Sequence, residues 1–320
     1  MASVVTLTMN PALDIATATE RIEPAHKLRC SPPRYDAGGG GINVARAVHA
    51  LGGGALAIFP AGGAAGEMIC HLLDEESVTH QVVAIAGFTR ESLAVEERTS
   101  GRQYRFILPG PVIGAADQER CLELLSRAAP EAEFVVASGS LPLGVAPDFY
   151  ARVGTLVKRY GKRFVLDTSG AALEQAGKGI YLMKPSLREL GEMAGRKLRD
   201  EADEEEAARE VVAQTRAEIV VVSLGARGAL VADRHGSERV PAMAVAAKST
   251  VGAGDSMLAG IVLGFTRGFG LHEAVRFGIA AGTAALFGAG TQLCRRDDVE
   301  RLYQSAPATE APAAAAGSDS

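Results

Sequence analysis

The chain has 320 residues, 47% of them hydrophobic and 22% charged, and it contains 37 glycines. That glycine share is about 12% against an ordinary ~7%, yet it has no G-X-Y period and sits beside a normal apolar fraction, so collagen and generic disorder are excluded. With 33 Lys+Arg against 38 Asp+Glu the net charge is −5, which argues against non-specific nucleic-acid binding, a function of clustered cations.

In chain order, Val4–Thr8 reads as a buried strand, and Gly41–Gly52 as a helix with Val44, Ala45, Val48 and Leu51 on one face. Leu56–Pro60 is the next strand and Gly66–Asp74 the next helix. Leu93–Thr99 and Arg102–Leu108 are extended segments joined by Ser100-Gly101, a hairpin signal. With the extended stretch at Thr17–Tyr35 they predict a small antiparallel sheet. Continuous apolar strands follow at Phe134–Ala137, Phe164–Asp167, Tyr181–Lys184 and Ile219–Ser223. Helical stretches at Ala116–Ala128, Asp148–Tyr160 and Glu201–Thr215 alternate with them. This βα repetition predicts one α/β core, a mostly parallel sheet with helices on both faces. The acidic run Asp200–Glu206 reads as a solvated face near a helix N-terminus. Residues 305–320 are rich in Ala, Pro and Ser and are expected to be disordered.

Cys30, Cys70, Cys121 and Cys294 form no C-x-x-C pair, and the six histidines show no ligand spacing. No apolar run approaches the ~18 residues of a membrane span. The N-terminal residues carry no basic region before their apolar run. A cytoplasmic, reducing setting is expected.

Two glycine-rich segments carry chemistry. Ser249-Thr250-Val251-Gly252-Ala253-Gly254-Asp255-Ser256 precedes an apolar helix from Met257 to Phe265. Glycines let several N–H groups face a ligand, and the helix start adds positive character, which together make an anion cradle. Asp255 inside it suits a general base for phosphoryl transfer. A bare G-x-G-D also fits a turn in which Asp caps a helix. The second segment, Asp36-Ala37-Gly38-Gly39-Gly40-Gly41-Ile42-Asn43, puts four glycines directly before a helix. Asn43 offers an amide that both donates and accepts, as sugar hydroxyls require. Neither segment is a dinucleotide fingerprint or a P-loop. The glycines at 52–54 and 62–66 are expected to close turns beside a sugar site, and most of the others to lie in ordinary turns.

The pairing of G-G-G-G-I-N-V-A with S-T-V-G-A-G-D-S resembles the ribokinase-type (PfkB) carbohydrate kinase family. T-L-T-M-N-P-A-L-D (Thr6–Asp14), F-P-A-G-G (Phe59–Gly63), S-G-S-L-P (Ser138–Pro142), K-P-S-L-R-E-L (Lys184–Leu190) and V-V-S-L-G (Val221–Gly225) agree in order, so the likeness runs from about Val4 to Tyr303. K-L-R-C, Q-Y-R-F, V-R-F-G and G-T-Q-L-C look most like the family's bacterial 6-phosphofructokinase branch. The resemblance implies a ribokinase-like three-layer α/β/α sandwich over residues 1–304, with a β lid from about 15–35 and 88–108. It also implies ATP-dependent phosphorylation of the C1 hydroxyl of fructose 6-phosphate. Tagatose 6-phosphate or fructose 1-phosphate are alternative substrates, and a catalytically silent sugar-phosphate sensor is the alternative from another class.

Roles follow by position. Asp255 would take the hydroxyl proton, and Gly252, Ala253 and Gly254 would present N–H groups to the transferred phosphoryl. Asp14, Gly38, Gly39 and Asn43 would hold sugar hydroxyls. Lys27, Arg90, Arg105 and Ser138 would lie near the sugar phosphate, where a dianion favours forked guanidinium contacts. Lys184, Ser186, Ser223, Gly225, Gly228, Ser249 and Thr250 would line ATP. Glu189 would organise Mg2+ through water, and Val251, Ala285, Gly288 and Gly290 would hold K+. Two lids are expected to clasp in a homodimer. The sequence departs from the family pattern at Ser186, where asparagine is usual, and at Gln292 and Leu143.

Overall fold

Strands buried on both faces need side chains that are apolar in both directions, and this is how the long runs of the chain fold. The computed structural model describes residues 2–214, 216–245, 251–288 and 291–305. Its strands are β1 (Val4–Leu7), β2 (Ala12–Thr19), β3 (Arg34–Gly38), β4 (Ala55–Ala61), β5 (His80–Ala84), β6 (Arg90–Glu97), β7 (Arg102–Ile107), β8 (Phe134–Ser138), β9 (Arg163–Asp167), β10 (Ile180–Met183), β11 (Ala217–Ser223), β12 (Ala229–Asp233) and β13 (Gly236–Val240). The helices are α1 (Gly40–Ala50), α2 (Gly63–Glu75), α3 (Ala115–Ala128), α4 (Phe149–Arg159), α5 (Ala171–Glu174), α6 (Leu187–Ala194), α7 (Glu201–Ala213), α8 (Ala253–Thr266), α9 (Leu271–Ala285) and α10 (Arg296–Ser305).

The large sheet has the order β13-β12-β11-β10-β9-β8-β1-β4-β5. All pairs from β11 to β5 are parallel, and β12 and β13 add an antiparallel hairpin at one edge. Sequence reading overlooks that hairpin, because the charged turn Asp233-Arg234-His235 interrupts its apolar pattern. Successive residues of a strand serve opposite cores. Phe134 and Val136 face the side of α1, α8 and α9, while Val135 and Ala137 face the side of α3, α4 and α7. The expected three-layer sandwich is therefore present.

The small sheet corrects its prediction. Its order is β3-β2-β6-β7, and its central pair, β2 with β6, is parallel rather than antiparallel. Thr17–Tyr35 is not one extended segment: β2 already starts at Ala12, and between Thr19 and Arg34 the described pairing is a single bridge, Thr19 to Cys30. No helix among the described residues is long and apolar enough to cross a membrane.

Helix α8 is enclosed, with Ser256–Gly264 buried throughout. Its partner α9 crosses it at glycines. A Cβ on Gly260 would lie 2.8 Å from Gly278 Cα, and one on Gly278 would lie 2.4 Å from Ile261 Cγ1 and 2.7 Å from the Met257 carbonyl. These two glycines mark a helix crossing rather than a turn. Gly52 follows the C-terminal end of α1 and a Cβ on Gly53 would press on Leu263, so both lie at the other end of that helix from Asn43 and not beside the sugar site.

Candidate active site

The strand sequence reverses direction beside β1: the chain runs outward through β4 and β5, then returns to β8 on the other side. Ligands of open α/β sheets gather at the carboxyl ends of strands at such a point. A cavity of about 600 Å³ opens there, lined by Asn10 just beyond β1, Ser140 just beyond β8, and Asp14, Asn43, Arg90, Ser92, Arg105, Ile107, Leu108, Pro109, Gly110, Val251, Gly252 and Asp255. Asp14, Asn43, Arg90, Arg105, Val251, Gly252 and Asp255 belong to the set singled out from sequence. Asn10, Ser92 and Ser140 do not; only the folded chain brings them in.

Asp255 lies in the first turn of α8, after Gly252 in the left-handed region (φ 76°). The N–H groups of a first helical turn have no intrahelical acceptors, so they point out toward whatever sits at this end. A Cβ at Gly252 would meet Leu293 Cδ2 at 2.8 Å, so the turn is held tight against the chain that follows α9. The Asn43 side-chain amide donates to Asp255 Oδ2 at 2.9 Å. Burial first, and then the nearby Asp167 charge, push the Asp255 carboxyl up to about 7, against the pull of Asn43 and Lys184. Lys184 is 6% exposed, its Nζ 2.9 Å from Asp167 Oδ2. Burial opposes its charge, but Asp167, Asp255 and Glu189 outweigh that and its pKa is raised. Its Nζ lies 3.6 Å from where a Cβ on Gly254 would stand, so it is a fixed cation beside the α8 turn.

At the other end of the cavity, Arg90 is steered by Asn10 and Ser92. Its Nε donates to Asn10 Oδ1 at 3.1 Å, its Nη2 to the Asn10 carbonyl at 3.2 Å, and its Nη1 to Ser92 Oγ at 3.3 Å. Arg105 is exposed on β7 and turned into the same cavity. Asp14 stands between the ends. Burial raises its carboxyl to about 6 despite Arg90.

The glycine run is fitted to the protein itself. A Cβ on Gly38 would lie 2.2 Å from Asp14 Oδ2, on Gly40 2.3 Å from Ser138 Oγ, and on Gly41 2.5 Å from Thr8 Oγ1. The run lets α1 start against β1 and β8, which is what places Asn43 near Asp255. Ser138 is 1% exposed beneath Gly40 and does not line the cavity; Ser140 does. Lys27 is exposed on the segment between β2 and β3 and is not brought to the cavity.

The residues matched to a nucleotide site form a second group. Ser223 ends β11 and bridges to Ser186, its N–H donating to the Pro185 carbonyl at 3.1 Å. Gly225 and Gly228 bracket a single tight turn, and a Cβ on Gly228 would lie 2.1 Å from the Val240 carbonyl. Ser186 and Glu189 cap α6 reciprocally. Glu189 N–H donates to Ser186 Oγ at 3.3 Å, and Ser186 N–H donates to Glu189 Oε2 at 2.8 Å. The other Glu189 oxygen lies 3.5 Å from Arg188. This donor set fits a metal held through water better than one bound directly. The Ala285 carbonyl accepts from Gly288 N–H at 3.2 Å. Ser249, Thr250 and Gly290 lie outside the described residues.

Sequence reasoning missed Asp167, and one residue of the acidic run departs from its reading: Asp200 caps α7 and Glu201 and Glu206 are exposed as a solvated face near a helix N-terminus, but Glu204 is buried. Glu204 is 6% exposed at its side chain, accepting from Arg227 Nη2 at 2.7 Å and from Arg239 Nη2 at 2.9 Å. Arg227 ends the Gly225 turn, so Glu204 is a buried anchor for that turn rather than part of a solvated face. The alternating charges around Glu201 and Glu205 hid it.

An enclosed carboxylate at a glycine turn, a fixed lysine beside it and two arginines across the cavity define a phosphotransferase acting on an anionic acceptor. The chain belongs to the pfkB family carbohydrate kinases, whose profile matches residues 3–298. It is 51% identical over 303 residues to ATP-dependent 6-phosphofructokinase isozyme 2 of Mycobacterium tuberculosis, covering 95% of this chain and 89% of the relative. Two crystal structures of phosphofructokinase-2 from Escherichia coli superimpose closely on the fold. The complex with potassium has a TM-score of 0.91 at 43% identity, covering 95% of this chain and 99% of the other. The complex with fructose-6-phosphate has a TM-score of 0.89 at 41% identity, with the same coverage. The fold is thus ribokinase-like, a large mostly parallel sheet with helices and a separate small sheet.

Proposed function

We propose that this chain transfers the γ-phosphoryl group of ATP to the C1 hydroxyl of fructose 6-phosphate, giving fructose 1,6-bisphosphate and ADP. The observation that carries this reading is the cavity with Asp255 and the Gly252 turn at one end and Arg90 and Arg105 at the other. A substrate with a nucleophilic hydroxyl at one end and a phosphate at the other satisfies both; a plain sugar or a nucleoside leaves the arginines without a ligand. A sensor would have no use for the carboxylate at the anion hole.

Asn43 holds one Asp255 oxygen, and the other takes the proton as the hydroxyl attacks phosphorus. The N–H groups of Gly252, Ala253 and Gly254 and the Lys184 ammonium stabilise the charge on the phosphoryl oxygens in flight. Asp14 orients the sugar hydroxyls, and Arg90 and Arg105 grip its phosphate. Ser223, Gly225 and Gly228 line the nucleotide. Glu189 would hold Mg2+ through water, and the ion would supply positive charge to the phosphates in transfer. The carbonyls of Val251, Ala285 and Gly288 suit K+. The setting is the cytoplasm, and the functional unit a homodimer. Tyr35 and Phe106 of the small sheet are 40% and 52% exposed and lie in one cross-strand row on the face away from the cavity, an apolar surface that a second lid would cover.

A coupled ADP-release assay tests the reading, with kcat/KM measured for fructose 6-phosphate, tagatose 6-phosphate and fructose 1-phosphate in parallel. Fructose 6-phosphate should give the highest value. Binding without ADP release would favour the sensor, and preference for either other sugar would reassign the substrate.

A further inference from the structure

A buried charge cluster lies behind the cavity, where β3, α1, the residue after α2 and the connection between α9 and α10 meet. Arg34 and Asp36 come from β3, Arg46 from α1, and Thr291 from the connection between α9 and α10. Asp36, Arg46 and Thr291 are 9%, 7% and 8% exposed. Asp36 Oδ2 accepts from Arg34 Nε at 2.9 Å and from the Thr291 hydroxyl, and its Oδ1 lies 3.5 Å from Arg46 Nη2. Arg34 Nη2 also donates to Thr291 Oγ1 at 3.1 Å. Arg46 Nη1 donates to the Ala37 carbonyl at 2.7 Å, and its fork pairs with Glu76 after α2.

The two ends of this cluster lead to different substrates. Asp36 is the register partner of Asp14 across β3 and β2, and Asp14 lines the sugar end of the cavity. Beyond Thr291, Leu293 occupies the space a Cβ on Gly252 would need, with its Cδ2 2.8 Å from that position, and Cys294 N–H donates to Ser256 Oγ at 3.4 Å. The segment tied to Arg34 and Asp36 is therefore the one that seats the phosphoryl-binding turn of α8.

We propose that Arg34 and Thr291 are positioning residues that couple the sugar-phosphate site to the phosphoryl site by tying β3 to the segment that seats Gly252. Neither touches the cavity; they act through Asp36 and Leu293. The inference rests on the functional reading above. Filling one site fixes its end of the tie, so the second ligand meets a site already ordered.

The test is a binding cycle on the full chain: fructose 6-phosphate affinity by calorimetry, with and without Mg2+ and a non-hydrolysable ATP analogue. The wild type should bind the sugar phosphate at least about fivefold more tightly with the analogue present. Thr291→Val keeps shape but loses the hydroxyl, and Arg34→Ala loses the fork; each should bring that ratio close to one while single-ligand affinities change little. Should Arg34→Ala fail to fold, Thr291→Val, which removes no charge, carries the test. A wild-type ratio of one overturns the coupling, and so does an unchanged ratio in Thr291→Val. Parallel loss of both affinities with a lowered Tm makes the cluster merely structural and also overturns it. Sugar-phosphate binding that is absent from the wild type strikes the functional reading itself, whereas normal turnover with an unchanged ratio strikes the coupling alone.

Discussion

Asp255 is costly where it stands. Its carboxyl is buried, close to Asp167, and raised from 3.8 to about 7. A carboxyl raised on folding binds more protons in the folded state, so its cost to stability is full above the folded pKa and absent below the unfolded one. Asp255→Asn should therefore melt higher than the wild type at about pH 8, by the equivalent of ~3 kcal/mol, and show no gain below about pH 4. Thermal melts across pH check this. The same carboxyl must be ionised to take a proton, so kcat/KM should fall as pH drops below about 7, and more steeply as Asp14 protonates near 6. A rate profile flat from about pH 5.5 to 8 would contradict both roles. Much of this residue scale was legible. A glycine turn with an aspartate before an apolar helix has a chemical meaning in sequence alone. Asn10, Ser92, Ser140 and Asp167 were not legible, because they are ordinary polar residues at strand ends and gain a role only when the sheet order places them together.

The pairing of α8 with α9 sets where Asp255 sits, and it depends on absent side chains. Replacing a helical glycine with alanine ordinarily gains ~1 kcal/mol. At Gly278 the new Cβ would press into Ile261 and the Met257 carbonyl, and the backbone atom cannot yield. Gly278→Ala should thus cost about 1–3 kcal/mol net, read as a lower Tm, with kcat reduced as the α8 turn shifts. The anchor of the Gly225–Gly228 turn, which we propose lines the nucleotide, gives a second test. Glu204→Gln leaves Arg227 and Arg239 without their shared carboxylate, at a cost of about 1–3 kcal/mol given their partial exposure. It should raise KM for ATP more than KM for the sugar phosphate; equal rises would deny Glu204 a link to the turn. Glycines in crossing helices and a buried glutamate inside an acidic run share one reason for escaping sequence reading. Spacing shows which face a residue occupies but not which element packs on it.

For the molecule as a whole, the βα repeat specified the parallel core because continuous apolar strands have few other folds open to them. The small sheet was harder to read. Its strands β2 and β6 are brought together in parallel from segments 78 residues apart, and no local pattern encodes that register. Its exposed apolar side chains predict self-association: sedimentation at about micromolar concentration should give a dimer, and a monomer would contradict the clasped lids. The central claim is that one cavity joins a base at an anion hole to a sugar-phosphate grip. The most direct measurement is ADP release with ATP, Mg2+ and fructose 6-phosphate, wild type beside Asp255→Asn. The account predicts turnover by the wild type, and a variant that still binds the sugar phosphate but turns over about 10²–10⁴-fold more slowly. Near-normal turnover by the folded variant, or none by the wild type, would contradict it.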